Sequence, residues 1–116
     1  MSEFTIYHNP RCSKSRQTLQ LLQDNGVAPE VVLYLDNTPS VEQLDALLVK
    51  LGMSARDLLR KGEEDYKLLN LKETHHSDAD LLAAMVAHPK LIERPIVVRG
   101  DRAILGRPPE NVLELL

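Results

Sequence analysis

Cysteine is nearly absent from this chain of 116 residues, and the only one, Cys12, sets the first limit on its chemistry. A single cysteine excludes an internal disulfide and a cysteine-rich zinc site. It also leaves the chain without a second thiol that could resolve an oxidised Cys12. Any thiol-based redox cycle must therefore take its second thiol from another molecule.

Aromatic residues are also scarce, since the chain has one Phe, three Tyr and no Trp. The core must therefore be built mainly from Leu, Val and Ile. Hydrophobic residues make up 43% and charged residues 27% of the chain, proportions typical of a globular protein. A chain of this length is large enough to bury one core, so we predict a single domain over residues 1–116.

Features of membrane and nucleic-acid binding are missing as well. No apolar stretch approaches the ~20 residues that a membrane-spanning helix needs, and the first residues lack the basic start and apolar run of a signal peptide. The net charge of −3 argues against a broad basic surface. We therefore expect a cytoplasmic protein that binds neither membranes nor nucleic acid, with local groups of basic residues that suit a small anion.

The hydrophobic pattern begins with a strand–helix–strand unit. Apolar runs predict strands at 4–7 and 31–35, and between them helical spacing starts at Ser13 and stops at Asn25-Gly26. A connection of this length joins parallel strands. The stretch 40–89 then shows helical patterns throughout, so we predict a helical insertion there.

Serines open three of the predicted helices in this insertion, at positions 40, 54 and 77, where serine favours the N-cap. The segment Thr74-His75-His76 is predicted to be a loop. Two adjacent histidines in a loop are most often polar surface, and nothing in the sequence pairs with them. We do not predict a metal site here.

The last part of the chain predicts two strands and a helix. Ile96–Arg99 and 103–105 flank Gly100-Asp101, a plausible two-residue hairpin turn. A terminal helix follows, with Leu113 and Leu116 predicted to pack inward. The order βαβ, helices, ββα matches an α/β fold with a thioredoxin-like core (1–39 and 90–116), a mixed four-stranded sheet and a helical insertion (40–89).

Cys12 lies at the predicted turn between the first strand and the first helix. Free backbone N–H groups and the helix dipole favour negative charge at such a place. Three cations, Arg11, Lys14 and Arg16, lie within four residues of it. Such surroundings lower a thiol pKa from ~8.5 to about 3.5–7.5. A lone cysteine is more often an inert buried thiol, but this polar, basic turn favours a nucleophile.

His8 and Arg16 lie four residues before and four residues after Cys12. The imidazole of His8 could hydrogen-bond within the turn and tune the sulfur. Arg16 could lie one helical turn from the sulfur and contribute positive charge, whereas Arg11 and Lys14 are more typical of a solvated helix face. A metal site at His8 and Cys12 is poorly supported, because no further ligands are evident.

Three distant arginines, Arg60, Arg94 and Arg107, lie at the ends of predicted elements. Taken singly, each is more often a solvated charge. Arg94 differs because it precedes Pro95 at the start of a strand, where a thioredoxin-like fold places a cis-proline facing the active-site turn. The planar guanidinium of arginine also suits tetrahedral oxyanions.

Together these motifs resemble the glutaredoxin-linked arsenate reductase family. The resemblance includes the spacing His, three residues, Cys, three residues, Arg, and it spans almost the whole chain. Further matching segments follow in the family's order: Leu33-Tyr34-Leu35, Leu58-Leu59-Arg60-Lys61, Glu93-Arg94-Pro95-Ile96-Val97-Val98 and Gly106-Arg107-Pro108. Better-known members continue past the terminal helix, whereas this chain ends at Leu116 and so resembles the shorter members.

The resemblance implies a mechanism. The Cys12 thiolate would attack arsenate to form a covalent thioarsenate, glutathione would attack that adduct as co-substrate, and glutaredoxin would complete the release of arsenite. No bound cofactor is implied. The resemblance also assigns roles to two groups of residues: Arg60, Arg94 and Arg107 would hold the oxyanion, and His8, Ser15, Arg16 and Pro95 would support the cysteine turn.

Two other functions remain open. One is a glutathione-linked thiol oxidoreductase that accepts mixed disulfides, which the same thiol would serve equally well. The other is a non-enzymatic stress regulator that binds the RNA polymerase α-subunit. Regulators of that kind usually carry a second cysteine three residues after the first, where this chain has Ser15. A cysteine phosphatase is disfavoured, because its loop places an arginine six residues after the cysteine, and Thr18 occupies that position.

Overall fold

The computed structural model describes residues 3–72 and 76–116. The chain divides into two compact units. The first runs to Asn37 and resumes over Arg94–Leu116, and the second is Thr38–Glu93. The assignment of the whole chain to one domain, with a core at 1–39 and 90–116, stays a prediction.

The first unit contains one mixed sheet of four strands: β1 (Phe4–His8), β2 (Glu30–Leu33), β3 (Ile96–Arg99) and β4 (Arg102–Leu105). The strand order is β2-β1-β3-β4. β1 pairs with β2 in parallel and with β3 in antiparallel, and β3 pairs with β4 across the predicted hairpin turn. The predicted α/β class and mixed four-stranded sheet are therefore confirmed.

β2 ends two residues earlier than the apolar run predicted. The backbone N–H groups of Asp36 and Asn37 both donate to the carbonyl oxygen of Leu33, at 2.9 and 2.8 Å. These bonds turn the chain immediately after Leu33, so Tyr34 and Leu35 leave the sheet. The strand is also an edge strand, which explains why an apolar run has exposed side chains on it.

Helix α1 (Ser13–Asp24) packs against the sheet of the first unit through Leu22. The buried residues are mostly aliphatic, as the composition predicted. One buried cluster of the first unit comprises Phe4, Ile6, Leu22, Val97, Val112 and Leu115.

The terminal segment is a 3₁₀ helix, Pro109–Leu115, rather than the predicted α-helix. A 3₁₀ helix has three residues per turn, so Pro109, Val112 and Leu115 share its buried face. The prediction that Leu113 and Leu116 pack inward is wrong: their side chains are 42% and 48% exposed. Leu113 and Leu116 lie three residues apart, a spacing that suits a 3₁₀ helix as well as an α-helix, so the prediction was wrong about which face of the helix is buried.

The second unit is helical, as predicted. It contains α2 (Val41–Leu51), α3 (Ala55–Leu58), α4 (Glu64–Leu68), α5 (Asp78–Ala87) and a 3₁₀ helix, Pro89–Leu91. Of the predicted loop at 74–76, Thr74 and His75 lie outside the described residues. Within the described ranges, no helix combines the length and the apolar character needed to cross a membrane.

Candidate active site

Cys12 occupies the N-cap position of α1, directly after the turn that follows β1. Its own N–H donates to the carbonyl oxygen of Asn9 at 3.0 Å, and its carbonyl oxygen accepts from the N–H of Arg16 at 3.0 Å. The backbone N–H of Cys12 thus completes the turn, and its carbonyl oxygen accepts the first hydrogen bond of the helix. The thiol is partly exposed, so it is supported by the fold and still accessible to another molecule.

Opposing effects set the pKa of the Cys12 thiol. Burial raises the pKa, but the backbone N–H of Ser15, the guanidinium of Arg94 and the backbone N–H of Lys14 lower it, and the net result lies below the ordinary value. The two N–H groups belong to the first turn of α1, where they have no partner within the helix. The helix terminus and one arginine therefore together stabilise the thiolate.

Arg94 is the predicted arginine that the structure places at the sulfur. Its side chain hydrogen-bonds to Cys12. Burial lowers the pKa of Arg94, but Tyr34 and Cys12 raise it above the ordinary value. Tyr34 is only 1% exposed, so Arg94 lies between a buried phenol and the thiol. The Arg94–Pro95 peptide bond is cis, as expected at this position of the fold.

His8 and Ser15 form a buried pair beneath the cysteine turn. The Nδ1 atom of His8 lies 2.6 Å from the Oγ of Ser15, which also accepts the N–H of Asn9 at 3.1 Å. Burial, and then the charge of Arg16, lower the pKa of His8. A neutral imidazole thus holds the turn together through Ser15 rather than by direct contact with the thiol.

Two of the local cations, Arg16 and Lys14, act at different points of the cysteine turn. Arg16 donates from Nη1 to the carbonyl oxygen of Pro10 at 2.8 Å and so ties α1 to the turn. Its charge lowers the pKa of His8, and its predicted contribution of positive charge at Cys12 stays a prediction. The backbone N–H of Lys14 hydrogen-bonds to the sulfur and lowers the pKa of the Cys12 thiol.

Arg107 lies beside Arg94 on the surface of the first unit. Its Nη1 donates to the backbone carbonyl oxygen of Arg94 at 3.4 Å. The guanidinium of Arg94 thus lies at the sulfur, and the exposed guanidinium of Arg107 lies next to the backbone of Arg94. An oxyanion-binding role for Arg107 stays a prediction.

Arg60 belongs to the second unit. Its guanidinium lies 3.3 Å from a carboxylate oxygen of Glu63 and 3.4 Å from one of Glu93. The backbone N–H of Arg60 donates to the carbonyl oxygen of Leu91. The structure thus gives Arg60 two acidic neighbours within its own unit. Its predicted role in binding an oxyanion stays a prediction.

Thr18 and Gly106 are buried near the site and were not predicted to matter. Thr18 is 0% exposed and lies on the same face of α1 as Ser15 and Leu22. That face could have been recognised from helical spacing. Gly106 lies in a segment that resembles the family, but no local pattern indicates its role, because that role depends on which residues approach it in space.

An open cavity of about 300 Å³ lies beside the cysteine turn. One wall is formed by the cysteine turn, residues 8–11. The other is formed by Leu33, the last residue of β2, and by Leu35 and Asp36 in the turn that follows it. Among the described residues, no cluster of three or more His, Cys, Asp or Glu side chains could hold a metal ion. The chemistry that this arrangement supports is nucleophilic attack by a thiolate with a cation beside it.

Comparisons with known proteins agree with this description. The profile of the ArsC family matches residues 7–115. The chain is 58% identical over 112 residues to the uncharacterized protein YfgD of Escherichia coli (strain K12), covering 96% of this chain and 94% of that protein. It is 51% identical over 112 residues to a protein named arsenate reductase from Haemophilus influenzae (strain ATCC 51907 / DSM 11121 / KW20 / Rd), covering 96% and 97%.

A solved structure shows the same fold. The arsenate reductase from Vibrio cholerae superposes with a TM-score of 0.96 at 56% sequence identity, and the match covers 97% of each chain. The described architecture is therefore shared with an experimentally determined relative over nearly its full length.

Proposed function

This chain belongs to the ArsC family, and from that premise we propose that it is an oxidoreductase that reduces arsenate to arsenite. Relatives at 51% and 56% identity bear the name arsenate reductase. The observation that carries the proposal is the hydrogen bond from Arg94 to the Cys12 sulfur at the N-terminus of α1. A stabilised thiolate beside a fixed guanidinium suits attack on a tetrahedral oxyanion.

In the first proposed step the Cys12 thiolate attacks the arsenic atom. A sulfur–arsenic bond forms, and a hydroxyl group of the protonated arsenate takes up one proton from solvent and leaves as water. Arg94 and Arg107 would offset the negative charge of the oxyanion, because guanidinium groups form paired hydrogen bonds to such anions. Arg60 is proposed to add a third cation.

The second part of the cycle needs electrons from outside the chain, because Cys12 is the only cysteine. We propose glutathione and glutaredoxin as the two thiol donors. Their two sulfur atoms are oxidised to one disulfide while As(V) is reduced to As(III). Arsenite leaves, and Cys12 returns as a thiolate. Both donors belong to a reducing compartment, so a cytoplasmic location is part of this proposal.

His8, Ser15, Arg16 and Pro95 support the turn in this scheme. The pairing of His8 with Ser15 holds the turn from below, and Arg16 ties it to Pro10. None of them needs to touch the oxyanion. Their loss should lower activity less than the loss of Cys12 or Arg94.

The test is a coupled assay with arsenate, glutathione, glutaredoxin, glutathione reductase and NADPH. We expect arsenite production that is abolished in Cys12→Ser. Removing one hydrogen-bond donor that stabilises developing charge typically costs about 10²–10³ in kcat, so Arg94→Ala should lose activity on that scale. Arg102→Ala, a change of an exposed arginine in β4, should not. If no Cys12-dependent arsenite is formed, the proposal is wrong.

A second candidate is a glutathione-linked oxidoreductase that acts on mixed disulfides. The cavity beside the cysteine turn favours it, because Leu33 and Leu35 line that cavity with apolar surface suited to a peptide-like thiol. Turnover of a glutathionylated peptide that survives both Arg94→Ala and Arg107→Ala would favour this candidate over arsenate reduction. A non-enzymatic RNA polymerase regulator is not favoured by any feature of the site.

A further inference from the structure

We propose that Thr18 and Gly106 form a positioning pair that sets the distance between Cys12 and the two arginine segments, Arg94-Pro95 and Gly106-Arg107. Neither residue touches the sulfur or would touch an oxyanion. They fix where the segments of Arg94 and Arg107 lie relative to the thiol of Cys12. That this arrangement serves catalysis rests on the proposed function.

The first part of the pair is the hydroxyl of Thr18. Its Oγ1 lies 2.8 Å from the carbonyl oxygen of Lys14 and 3.3 Å from the carbonyl oxygen of Gly106. A hydroxyl has one proton to donate, so the two acceptors share it. Thr18 thereby joins the first turn of α1, which begins at Cys12, to a segment 88 residues away.

The second part is the missing side chain of Gly106. A Cβ added there would lie 2.5 Å from the Oγ1 of Thr18, 2.8 Å from its Cγ2 and 2.9 Å from the Cγ of Pro95. Distances below 3.0 Å are essentially never seen for real Cβ atoms. Gly106 is therefore required for space, since its φ is not in the left-handed region. It allows α1 and the Pro95 segment to approach from two sides.

The two arginine segments are also tied to each other at this point. The N–H of Gly106 donates to the carbonyl oxygen of Pro95 at 3.0 Å, and the Nη1 of Arg107 donates to the carbonyl oxygen of Arg94 at 3.4 Å. A shift of Gly106 would therefore move Arg94 and Arg107 together. Because Arg94 hydrogen-bonds to the sulfur, the shift would reach Cys12.

A purely structural role would not require a hydroxyl at position 18. Thr18 is 0% exposed, and burying a hydroxyl is costly unless it is hydrogen-bonded. Valine has nearly the same shape and would fill the same space without that cost. The hydroxyl therefore has a positional purpose, which is to hold the carbonyl of Gly106 against the first turn of α1.

The test compares Thr18→Val with Thr18→Ser in the full chain, after urea unfolding shows that both are folded. The first readout is the pH midpoint for alkylation of Cys12 by iodoacetamide. We expect a higher midpoint in Thr18→Val, because the Arg94 hydrogen bond is weakened, and a midpoint near that of the unchanged chain in Thr18→Ser. The second readout is kcat/KM for arsenate. Since a misplacement of 1 Å can cost about 10²-fold, we expect Thr18→Val to lose about tenfold or more.

Gly106→Ala tests the other half of the pair. It should raise the alkylation midpoint and lower kcat/KM at least as much as Thr18→Val, because the added methyl must displace Thr18 or Pro95. Gly62→Ala is the matched control: a Cβ there meets no atom within 4 Å and its φ is not in the left-handed region. It should leave both readouts unchanged.

The outcomes separate this inference from the proposed function. If Thr18→Val is folded and keeps both the alkylation midpoint and the kcat/KM of the unchanged chain, the positioning pair is overturned. If the unchanged chain forms no arsenite, the proposed function fails, but the alkylation midpoints still decide whether Thr18 and Gly106 position Arg94 at the thiol.

Discussion

At the scale of single residues, Cys12 shows how opposing electrostatic effects are resolved. Burial alone would favour the neutral thiol, yet the neighbours lower its pKa below the ordinary value. Each pKa unit corresponds to about 1.36 kcal/mol of preference between the two charge states. Arg94 is the one charged side chain among those neighbours. The reactivity of the thiol therefore depends on a residue 82 positions away in the sequence.

This dependence gives a prediction for Arg94→Ala. The pH midpoint for alkylation of Cys12 in the unchanged chain should lie below that of an unperturbed thiol. It should rise in Arg94→Ala, because both the hydrogen bond and the charge that favour the thiolate are lost. The control is Arg102→Ala, since Arg102 lies on the surface and donates to the carbonyl oxygen of Glu114. Equal midpoints in all three proteins would contradict this account of Arg94.

At the scale of elements, the N-terminus of α1 differs from those of α2, α3 and α5. α2, α3 and α5 each begin with a serine in a capping box and have acidic residues in the first turn. α1 has Cys12 at its N-cap and no acidic residue in its first turn. The serines and carboxylates use the positive ends of their helices for stability. In α1 the same positive end is left for the thiolate and for an incoming anion.

The contribution of a capping box to stability can be tested at Ser40. Its Oγ accepts the N–H of Gln43 at 3.2 Å, and its N–H donates to the Oε1 of Gln43 at 2.9 Å. Ser40→Ala should lower the free energy of unfolding by about 1 kcal/mol, because the capping bond is lost. Ser40→Asn keeps a capping oxygen and should cost much less. Urea unfolding measures both, and an equal loss in the two variants would show that the cap is not the cause.

At the scale of the whole molecule, the buried His8 links stability to pH. The folded protein lowers the pKa of His8, first by burial and then through the charge of Arg16. Below about pH 6.5 the unfolded chain takes up a proton at His8 that the folded chain resists. The free energy of unfolding should therefore fall as the pH drops from about 6.5 towards the folded pKa, by at most ~1.36 kcal/mol per pH unit from this group.

The measurement is urea unfolding between about pH 7.5 and pH 5 for the unchanged chain and for His8→Asn. Asparagine can still pair with the Oγ of Ser15, but it does not titrate. The unchanged chain should lose more stability across this interval than His8→Asn does. Identical slopes would mean that His8 is not responsible for the pH dependence, whatever the absolute stabilities of the two proteins.

Much of the fold could be predicted from local sequence signals. The alternation of apolar runs and helical spacing placed the four strands and the helices in the correct order, and serines marked three helix starts. The terminal segment was predicted wrongly: Leu113 and Leu116 share one face of the helix, but the chain buries the neighbouring face, with Val112 and Leu115. Spacing alone does not decide which of two apolar faces of a short helix packs against the core.

The sequence by itself determined the chemistry available to this protein: one thiol, no resolving partner, and a helix N-terminus placed directly after that thiol. These features depend on residues that are neighbours along the chain, so local rules capture them. Only the tertiary structure decided which distant groups act on the thiol. Arg94 hydrogen-bonds to the sulfur, Arg16 to the carbonyl of Pro10, and Thr18 to the carbonyl of Gly106, 88 residues away. Such contacts depend on how strands and helices pack, and packing is set by the whole chain at once.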